Sequence, residues 1–131
     1  MIQKLIKTEI EWKKILNPPQ YKILREGGTE KAFTGKLLDN KKEGIYSCVA
    51  CNNPLYSSKT KFNSGNGWPS FSEPISKDSL IVKPEPVIGL DGAEVLCAKC
   101  EGHHGHVFFD GPKPTGLRFC MNSEILNFKK I

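Results

Sequence analysis

The sequence predicts a mainly β protein, built of antiparallel sheets and preceded by a short helical segment at the N-terminus. Two observations support this fold class. From Phe33 onward, short runs rich in β-branched and aromatic residues alternate with turns that contain glycine, proline or asparagine. These turns are brief, and brief turns suit antiparallel strands, since a parallel pair needs a crossover of about a dozen residues or more. Before Phe33, the sequence shows the start and stop signals of helices instead.

Two helices are predicted ahead of the strands. Thr8 and Glu11 have the spacing of a capping box, so we predict a helix over residues 8–16, which ends where two consecutive prolines follow. A second helix over residues 19–26 begins at a proline and ends before a pair of glycines. Neither helix carries residues that suggest chemistry, and we interpret residues 1–30 as a helical brace.

Seven short strands are predicted after the helices, and together they form a β core over residues 33–128. The predicted strands cover residues 44–48, 54–57, 80–83, 94–97, 106–109, 117–121 and 125–128. A chain of 131 residues is long enough for one domain with a sizeable core and short for two. We therefore expect residues 1–131 to form a single domain.

The composition is that of an ordinary globular protein, with 38% hydrophobic and 25% charged residues. No apolar run approaches the roughly 20 residues of a membrane-spanning helix, and the N-terminus lacks the apolar stretch of a secretory signal. We therefore expect a cytoplasmic protein without a membrane partner, in a compartment where thiols stay reduced. The formal net charge of +5 is mild and the lysines are scattered, so we expect no nucleic-acid partner.

Four of the five cysteines form two C-x2-C pairs, which are typical of a metal site. Two residues between ligands allow a tight turn to direct both sulfurs at one ion, and zinc accepts four thiolates tetrahedrally at about 2.3 Å. Such a shell leaves no position for water, so we expect one structural zinc ion per chain, which clamps the β core. The 45 residues between the pairs (52–96) exceed the roughly 15–20 of a common zinc ribbon. The predicted ligands are Cys48, Cys51, Cys97 and Cys100.

Other interpretations of these cysteines stay open. The pairs could form two disulfides or remain four buried free thiols, although disulfides are rare in the expected compartment. Either pair could be a thioredoxin-like redox motif, which needs a βαβ context that the sequence does not show. Histidines follow Cys100 closely, so a site of three cysteines and one histidine is also conceivable.

The fifth cysteine, Cys120, is the candidate reactive group. A single cysteine between Phe119 and Met121 in a strand is usually an inert, packed side chain. In a strand, however, Arg118, Cys120 and Asn122 project from the same face. A cation and an amide donor beside a thiol stabilise its thiolate, so these neighbours favour a nucleophile.

Trp68 and two histidines are the remaining candidate site residues. Trp68 precedes Pro69 in a glycine-rich stretch between the two cysteine pairs, and an isolated tryptophan of this kind is more often a core anchor than part of a site. It could instead form the rigid wall of an apolar pocket for a small group such as a methyl. His103 and His106 could supply a proton donor near a thiolate.

Four motifs follow one another in the second half of the chain: G-W-P-S-F at residues 67–71, C-x-x-C-x-x-H-x-G-H-V-F at 97–108, D-G-P at 110–112 and R-F-C-M-N-S at 118–123. Together they resemble the methionine sulfoxide reductase B family, in that family's order and near its spacing. The resemblance extends from about Thr8 to Phe128, which is nearly the whole chain. The resemblance implies coiled antiparallel sheets with a structural zinc ion, and thiol-dependent reduction of methionine R-sulfoxide, free or in proteins, as a repair reaction.

The same resemblance implies a role for each matching residue. Cys120 matches the nucleophile, Trp68 and Phe119 the substrate-binding aromatics, and the remaining matches are His103 and His106 on the oxygen side, Asn122 as a polar support, and Arg118 as an active-site arginine. We expect Cys120, with a lowered pKa, to attack the sulfoxide sulfur while one of the histidines protonates the oxygen. The product is a cysteine sulfenic acid.

The chain departs from the family pattern at several positions. Asn66 stands where many members carry a second, resolving cysteine, so we expect thioredoxin or a low-molecular-weight thiol to reduce the sulfenic acid directly. His104 stands where leucine is common. Glu85, Val87 and Gly92 replace an expected aspartate, serine and arginine. We expect a monomer.

A competing hypothesis is a zinc-ribbon module that binds nucleic acid or protein through its basic surface, with an inert Cys120. The net charge and the C-x2-C pairs fit such a module. The 45-residue separation of the pairs and the stretch around Trp68 do not fit it, and the four family motifs favour the reductase.

Overall fold

Two antiparallel β-sheets and two short helices make up the fold in the computed structural model, which describes residues 3–85 and 89–131. The predicted fold class, mainly β with an N-terminal helical segment, is confirmed. The helices are α1 (Glu9–Ile15) and α2 (Pro18–Glu26). The strands in chain order are β1 (Gly44–Cys48), β2 (Pro54–Ser57), β3 (Lys61–Phe62), β4 (Ser70–Phe71), β5 (Leu80–Glu85), β6 (Gly89–Cys97), β7 (His103–Phe108), β8 (Arg118–Met121) and β9 (Leu126–Lys130).

Both helices begin at a capping box, in which the N-cap and the third helical residue each accept a hydrogen bond from the other's backbone N–H. Thr8 and Glu11 form the predicted box of α1. Asn17 and Gln20 form a second box, which places the first of the two prolines in α2, so this helix begins one residue before its predicted start. Gly27 ends α2 in the left-handed region, with φ 71°. Among the described residues, no helix has the length and apolar character needed to cross a bilayer.

The strands form a three-stranded sheet of order β2-β1-β9 and a six-stranded sheet of order β3-β4-β8-β7-β6-β5. The pairings within both sheets are antiparallel, as predicted. β3 and β4 were not predicted, because two residues are too few to show an alternating pattern. β6 and β7 begin five and three residues before their predicted starts at 94 and 106. Val87, one departure from the family pattern, lies outside the described residues.

A cluster of aromatic side chains lies where the two sheets pack against each other. Tyr56 of the small sheet stacks on Phe71 of the large sheet with ring centroids 4.3 Å apart, and Tyr46 meets Phe71 edge-on at 5.1 Å. These three side chains are fully buried. Trp12 of α1, 1% exposed, belongs to the same buried cluster. In the large sheet, β7 and β8 are interior strands, paired on both sides, and these two strands carry residues of chemical interest.

Candidate active site and metal centre

Four buried cysteine side chains converge on one point. Their Sγ atoms all lie within 4.8 Å of one another. The Sγ–Sγ distance is 3.7 Å between Cys48 and Cys100 and 3.5 Å between Cys51 and Cys97, so no disulfide is present among these four. Four sulfurs at about 2.3 Å from a central zinc ion stand about 3.8 Å apart in a tetrahedron, so the observed spacing fits zinc. Within the described part of the chain this cluster consists of cysteines alone, which supports the predicted four-thiolate site.

Each cysteine pair lies in a tight turn at the end of a strand. Cys48 ends β1 and Cys97 ends β6. In both turns the N–H four residues later donates to the cysteine carbonyl at 2.8 Å, from Asn52 to Cys48 and from Glu101 to Cys97. Asn52 and Glu101 also share a left-handed φ, of 65° and 60°. Because β1 belongs to the small sheet and β6 to the large one, a metal ion at this point joins the two sheets.

A cavity of about 240 Å³ brings together five of the residues that the sequence singled out. They are Trp68, His106, Arg118, Cys120 and Asn122. The cavity is further lined by Thr29, Asn66, Gly105, Phe108 and Met121. Cys120 is partly exposed, so the interpretation of its thiol as a sealed core residue is wrong.

The strand geometry of β8 decides which of its side chains reach the cavity. Arg118 and Cys120 line it, as the alternation of a strand predicts. Phe119 points to the opposite face, where it is 5% exposed and lies 6.1 Å from the Tyr56 ring centroid in the core. Phe119 is therefore not among the residues that line the cavity, and its predicted contact with a substrate stays a prediction. Phe119 pairs with Phe71 of β4 and Val107 of β7, and both of these residues are buried. Phe119 is therefore part of the hydrophobic core.

Arg118 is held in place beside Cys120 from two sides. Its guanidinium donates to both carboxylate oxygens of Asp110, at 2.9 and 3.3 Å, and lies 4.3 Å from the ring centroid of Phe108. The hydrogen bond from Arg118 holds the pKa of the exposed Asp110 below its usual value. Asp110 belongs to the D-G-P motif at residues 110–112, and nothing in the sequence shows its pairing with Arg118.

The pKa of Cys120 differs from the expectation. Burial raises the pKa of the thiol, and the positive charge of Arg118 and its hydrogen bond offset this only in part. The negative charges of Glu30 and Asp110 act in the same direction as burial. The predicted lowering is therefore wrong for the cavity as it stands, because desolvation of a thiolate outweighs one nearby cation here.

A β-bulge in β7 places two of the three histidines side by side. Opposite the step from Val95 to Leu96 in β6, β7 advances by two residues, from Gly105 to His103. The extra residue changes the alternation of side chains, so that His103 and His106, three positions apart, come together with ring centroids 5.3 Å apart. His106 lines the cavity, whereas His103 is 5% exposed and lies behind it.

His103 is oriented by a carboxylate that the sequence analysis did not identify. Its Nδ1 lies 2.7 Å from Oε2 of Glu94, which β6 places directly opposite His106. With Nδ1 engaged by this carboxylate, the second ring nitrogen, Nε2, is buried and has no partner among the described residues. A histidine held in this way resembles the carboxylate-oriented imidazoles of catalytic sites. The register between β6 and β7 brings Glu94 and His103 together. The sequence does not show this register, so the pair could not be predicted from it.

Glu30 was also missed, although it connects several residues of the cavity. Its carbonyl oxygen accepts from the indole N–H of Trp68 at 3.0 Å, and its N–H donates to Oδ1 of Asn122 at 2.9 Å. Its own carboxylate accepts from the N–H of Glu124 at 2.9 Å. The segment after α2 therefore positions both Trp68 and Asn122, which lie 54 positions apart in the sequence. Glu30 belongs to residues 1–30, interpreted above as a helical brace, and lies beyond the end of α2 at Glu26.

Comparison with known proteins agrees with this geometry. A family model described as the SelR domain matches residues 16–130. Curated relatives of this chain carry the name peptide methionine sulfoxide reductase MsrB. The relative from Methanosarcina barkeri is 52% identical over 130 residues, which cover 98% of this chain and 92% of the relative. The relatives from Leptospira interrogans and Pseudomonas fluorescens are 54% and 50% identical, over 95% and 96% of this chain and 95% and 97% of their own.

The match extends over the zinc-type cysteine cluster and over every residue that lines the cavity. The identities are near 50% and cover almost the entire length of this chain and of each relative. The aligned part of each relative therefore leaves no room for a further domain in that relative. The chain therefore belongs to the MsrB family of SelR-domain proteins.

Proposed function

We propose that this protein reduces the R epimer of methionine sulfoxide, free or within a peptide, to methionine with a thiol as reductant. The observation that carries the proposal is the partly exposed Cys120 in a cavity that Trp68 and His106 also line. A sulfur nucleophile, an aromatic wall for the methyl group and a proton carrier are the groups that this reaction requires. The curated relatives, whose names state peptide methionine sulfoxide reduction, support the same reaction.

In the proposed chemical step, the sulfur of Cys120 attacks the sulfoxide sulfur and the sulfoxide oxygen takes up a proton. The oxygen atom moves to the cysteine, methionine leaves, and Cys120 becomes a sulfenic acid, so the cysteine loses the two electrons that the substrate gains. Burial raises the pKa of the Cys120 thiol, and in the proposed step the thiol gives up its proton as the sulfoxide oxygen takes one up. His106 lines the same cavity and carries this proton. The ring of His103, oriented by Glu94, packs against the ring of His106 and holds it in position.

The remaining cavity residues orient the substrate. The indole of Trp68, fixed by its bond to the Glu30 carbonyl, forms a rigid wall against which the methyl group packs and from which water is excluded. Arg118, fixed by Asp110, adds a positive charge beside the attacking sulfur as negative charge develops there. Asn122 lines the cavity with its amide bonded to Glu30 and His104, and it supports the cavity wall.

The proposed activity is tested with each sulfoxide epimer separately. With dithiothreitol as reductant, the purified protein should convert methionine R-sulfoxide, or a peptide that contains it, to methionine and leave the S epimer unchanged. Quantifying methionine by chromatography measures both rates. Equal rates with both epimers, or none with either, would contradict the proposal.

We also propose that an external thiol, from thioredoxin or a small molecule, regenerates Cys120 directly. The other four cysteines belong to the metal centre, and Asn66 lines the cavity at the position where many family members carry a resolving cysteine. Two thiols are consumed: their sulfurs form one disulfide, and the oxygen of the sulfenic acid leaves as water.

A single turnover without reductant should therefore stop at the sulfenic acid. Mass spectrometry should show an increase of about 16 Da, one oxygen atom, on the Cys120 peptide, or, after a sulfenic-acid reagent is added, the adduct of that reagent on the same peptide. In the Asn66→Cys variant, the introduced thiol should instead form a disulfide with Cys120. Asn66→Ser, which adds no thiol, is the matched control and should behave as the wild type. An internal disulfide in the wild-type protein would show that the direct route is wrong.

A further inference from the structure

We propose that His104 is part of the metal centre, where its imidazole donates a hydrogen bond to the Cys48 thiolate and thereby strengthens metal binding. The imidazole Nε2 lies 3.2 Å from Sγ of Cys48. The side chain is fully buried, and this sulfur is the partner that the structure shows for its ring nitrogens. The proposal depends on the four-thiolate site and is independent of the proposed reductase activity.

The direction of the bond follows from the chemistry of the site. A metal-bound thiolate has no proton, so Nε2 must carry the hydrogen and Nδ1 must be the unprotonated nitrogen. Nδ1 is buried and has no hydrogen-bond partner among the described residues, which fits a nitrogen without a proton to donate. A buried imidazole without any partner would be unfavourable, so packing alone does not account for His104.

His104 acts on the ligand and is not itself a ligand. The four sulfurs form a complete tetrahedral set, and Nε2 is not among the atoms that lie within 4.8 Å of one another. Four thiolates and one divalent ion leave a net charge of about −2 in a buried site, and N–H donors disperse that charge. Asn53 lies near a second sulfur, with Nδ2 3.7 Å from Sγ of Cys97, so two donors act on two of the four ligands.

The backbone of His104 connects the metal centre to the cavity. Its carbonyl oxygen accepts from the N–H of Asn122 at 3.0 Å and from the Nδ2 amide of the same residue at 3.2 Å. The β-bulge described above turns His104 away from His103 and His106, which leaves its ring on the side of the cysteines. One residue of β7 thus contacts a metal ligand through its side chain and a cavity residue through its backbone.

Metal binding by variants of His104 tests the proposal without any measurement of turnover. Leucine, common at this position in the family, has a similar volume but no N–H, so we expect His104→Leu to bind zinc 10–100-fold more weakly in competition with a chromophoric chelator, the loss typical for a hydrogen-bonding partner of a ligand. In the cobalt-loaded protein, the thiolate-to-cobalt charge-transfer band should move to longer wavelength, because a sulfur without its hydrogen bond donates electrons more readily. Cys120→Ser, which leaves all four ligands and His104 in place, should change neither property. Wild-type affinity together with an unchanged band in His104→Leu would overturn the proposal.

A second measurement uses the unaltered protein, so it does not depend on how a variant folds. In the zinc-loaded wild type, long-range ¹H–¹⁵N NMR of His104 should show a protonated Nε2, slow to exchange with solvent, and an unprotonated Nδ1. The opposite tautomer would overturn the proposal, because Nε2 could then not donate to Cys48. Either result leaves the proposed sulfoxide reduction untouched, since no substrate is present.

Discussion

Replacement of Cys120 by serine is expected to abolish sulfoxide reduction while the protein keeps its fold and its metal. The hydroxyl of serine is a far weaker nucleophile than a thiol, and oxygen cannot be oxidised to the equivalent of a sulfenic acid. We expect the rate to fall by about a thousandfold or more, to background. The change is nearly isosteric, and Cys120 lies at the edge of the cavity and outside the four-cysteine cluster. Zinc content and melting temperature should therefore stay at wild-type values.

The measurement is methionine production from the R epimer at saturating thiol, with zinc determined by atomic spectroscopy on the same samples. Substantial activity in Cys120→Ser would show that another group attacks the sulfoxide. Loss of activity together with loss of zinc would assign Cys120 to the metal centre instead. The geometry argues against that assignment, since Cys120 is absent from the set of sulfurs that lie within 4.8 Å of one another.

The opposite result is expected for Cys97→Ser. Cys97 is fully buried at the end of β6, and its removal leaves three sulfurs for a metal that requires four ligands. Binding of structural zinc in small domains has an apparent free energy of roughly 10–16 kcal/mol, against a typical total stability of about 5–15 kcal/mol for a domain. Even a fraction of that energy is comparable with the whole stability of the fold. We expect metal-free protein and a melting temperature lower by tens of degrees, or no cooperative unfolding.

The structural reason is that the metal, when bound, cross-links β1 of the small sheet to β6 of the large sheet. The segment between the cysteine pairs contains β2 to β5 and part of β6, so loss of the cross-link frees a long loop. Thermal unfolding by circular dichroism and zinc content measure the effect. Cys120→Ser is the matched control, because it makes the same chemical change at a cysteine outside the cluster. An unchanged melting temperature in Cys97→Ser would mean that the metal contributes nothing to the fold.

The local parts of the fold could be predicted from the sequence because their signals lie within a few residues. The capping box of Thr8 and Glu11, β1, and the two C-x2-C turns each depend on neighbours in the chain. β4 could not be predicted, since its two residues become a strand only by pairing with β3 and β8. The His103 end of β7 was missed for a similar reason: a bulge there removes the alternation on which strand prediction depends.

The candidate site shows the same division. The chain's motifs were sufficient to name Trp68, Cys120 and the histidines, and the cavity unites most of them. Three features that depend on long-range contacts were not predicted: Phe119 faces the core, burial raises the pKa of Cys120, and the Glu30 backbone contacts Trp68 and Asn122. The orientation, the pKa and the contacts of a side chain depend on its burial, its solvation and its partners from distant segments. A short stretch of sequence does not specify these.

The sequence by itself determined the mainly β class, the two cysteine pairs and the identity of the lone thiol, because spacing along the chain directs side chains over short distances. Only the tertiary structure decided that Glu94 meets His103, that Asp110 holds Arg118, and that His104 turns toward Cys48. The register of β6, β7 and β8, together with one bulged residue, sets these contacts. Packing over both sheets determines the strand register. A shift of the register by one residue would turn each of these side chains to the opposite face of the sheet.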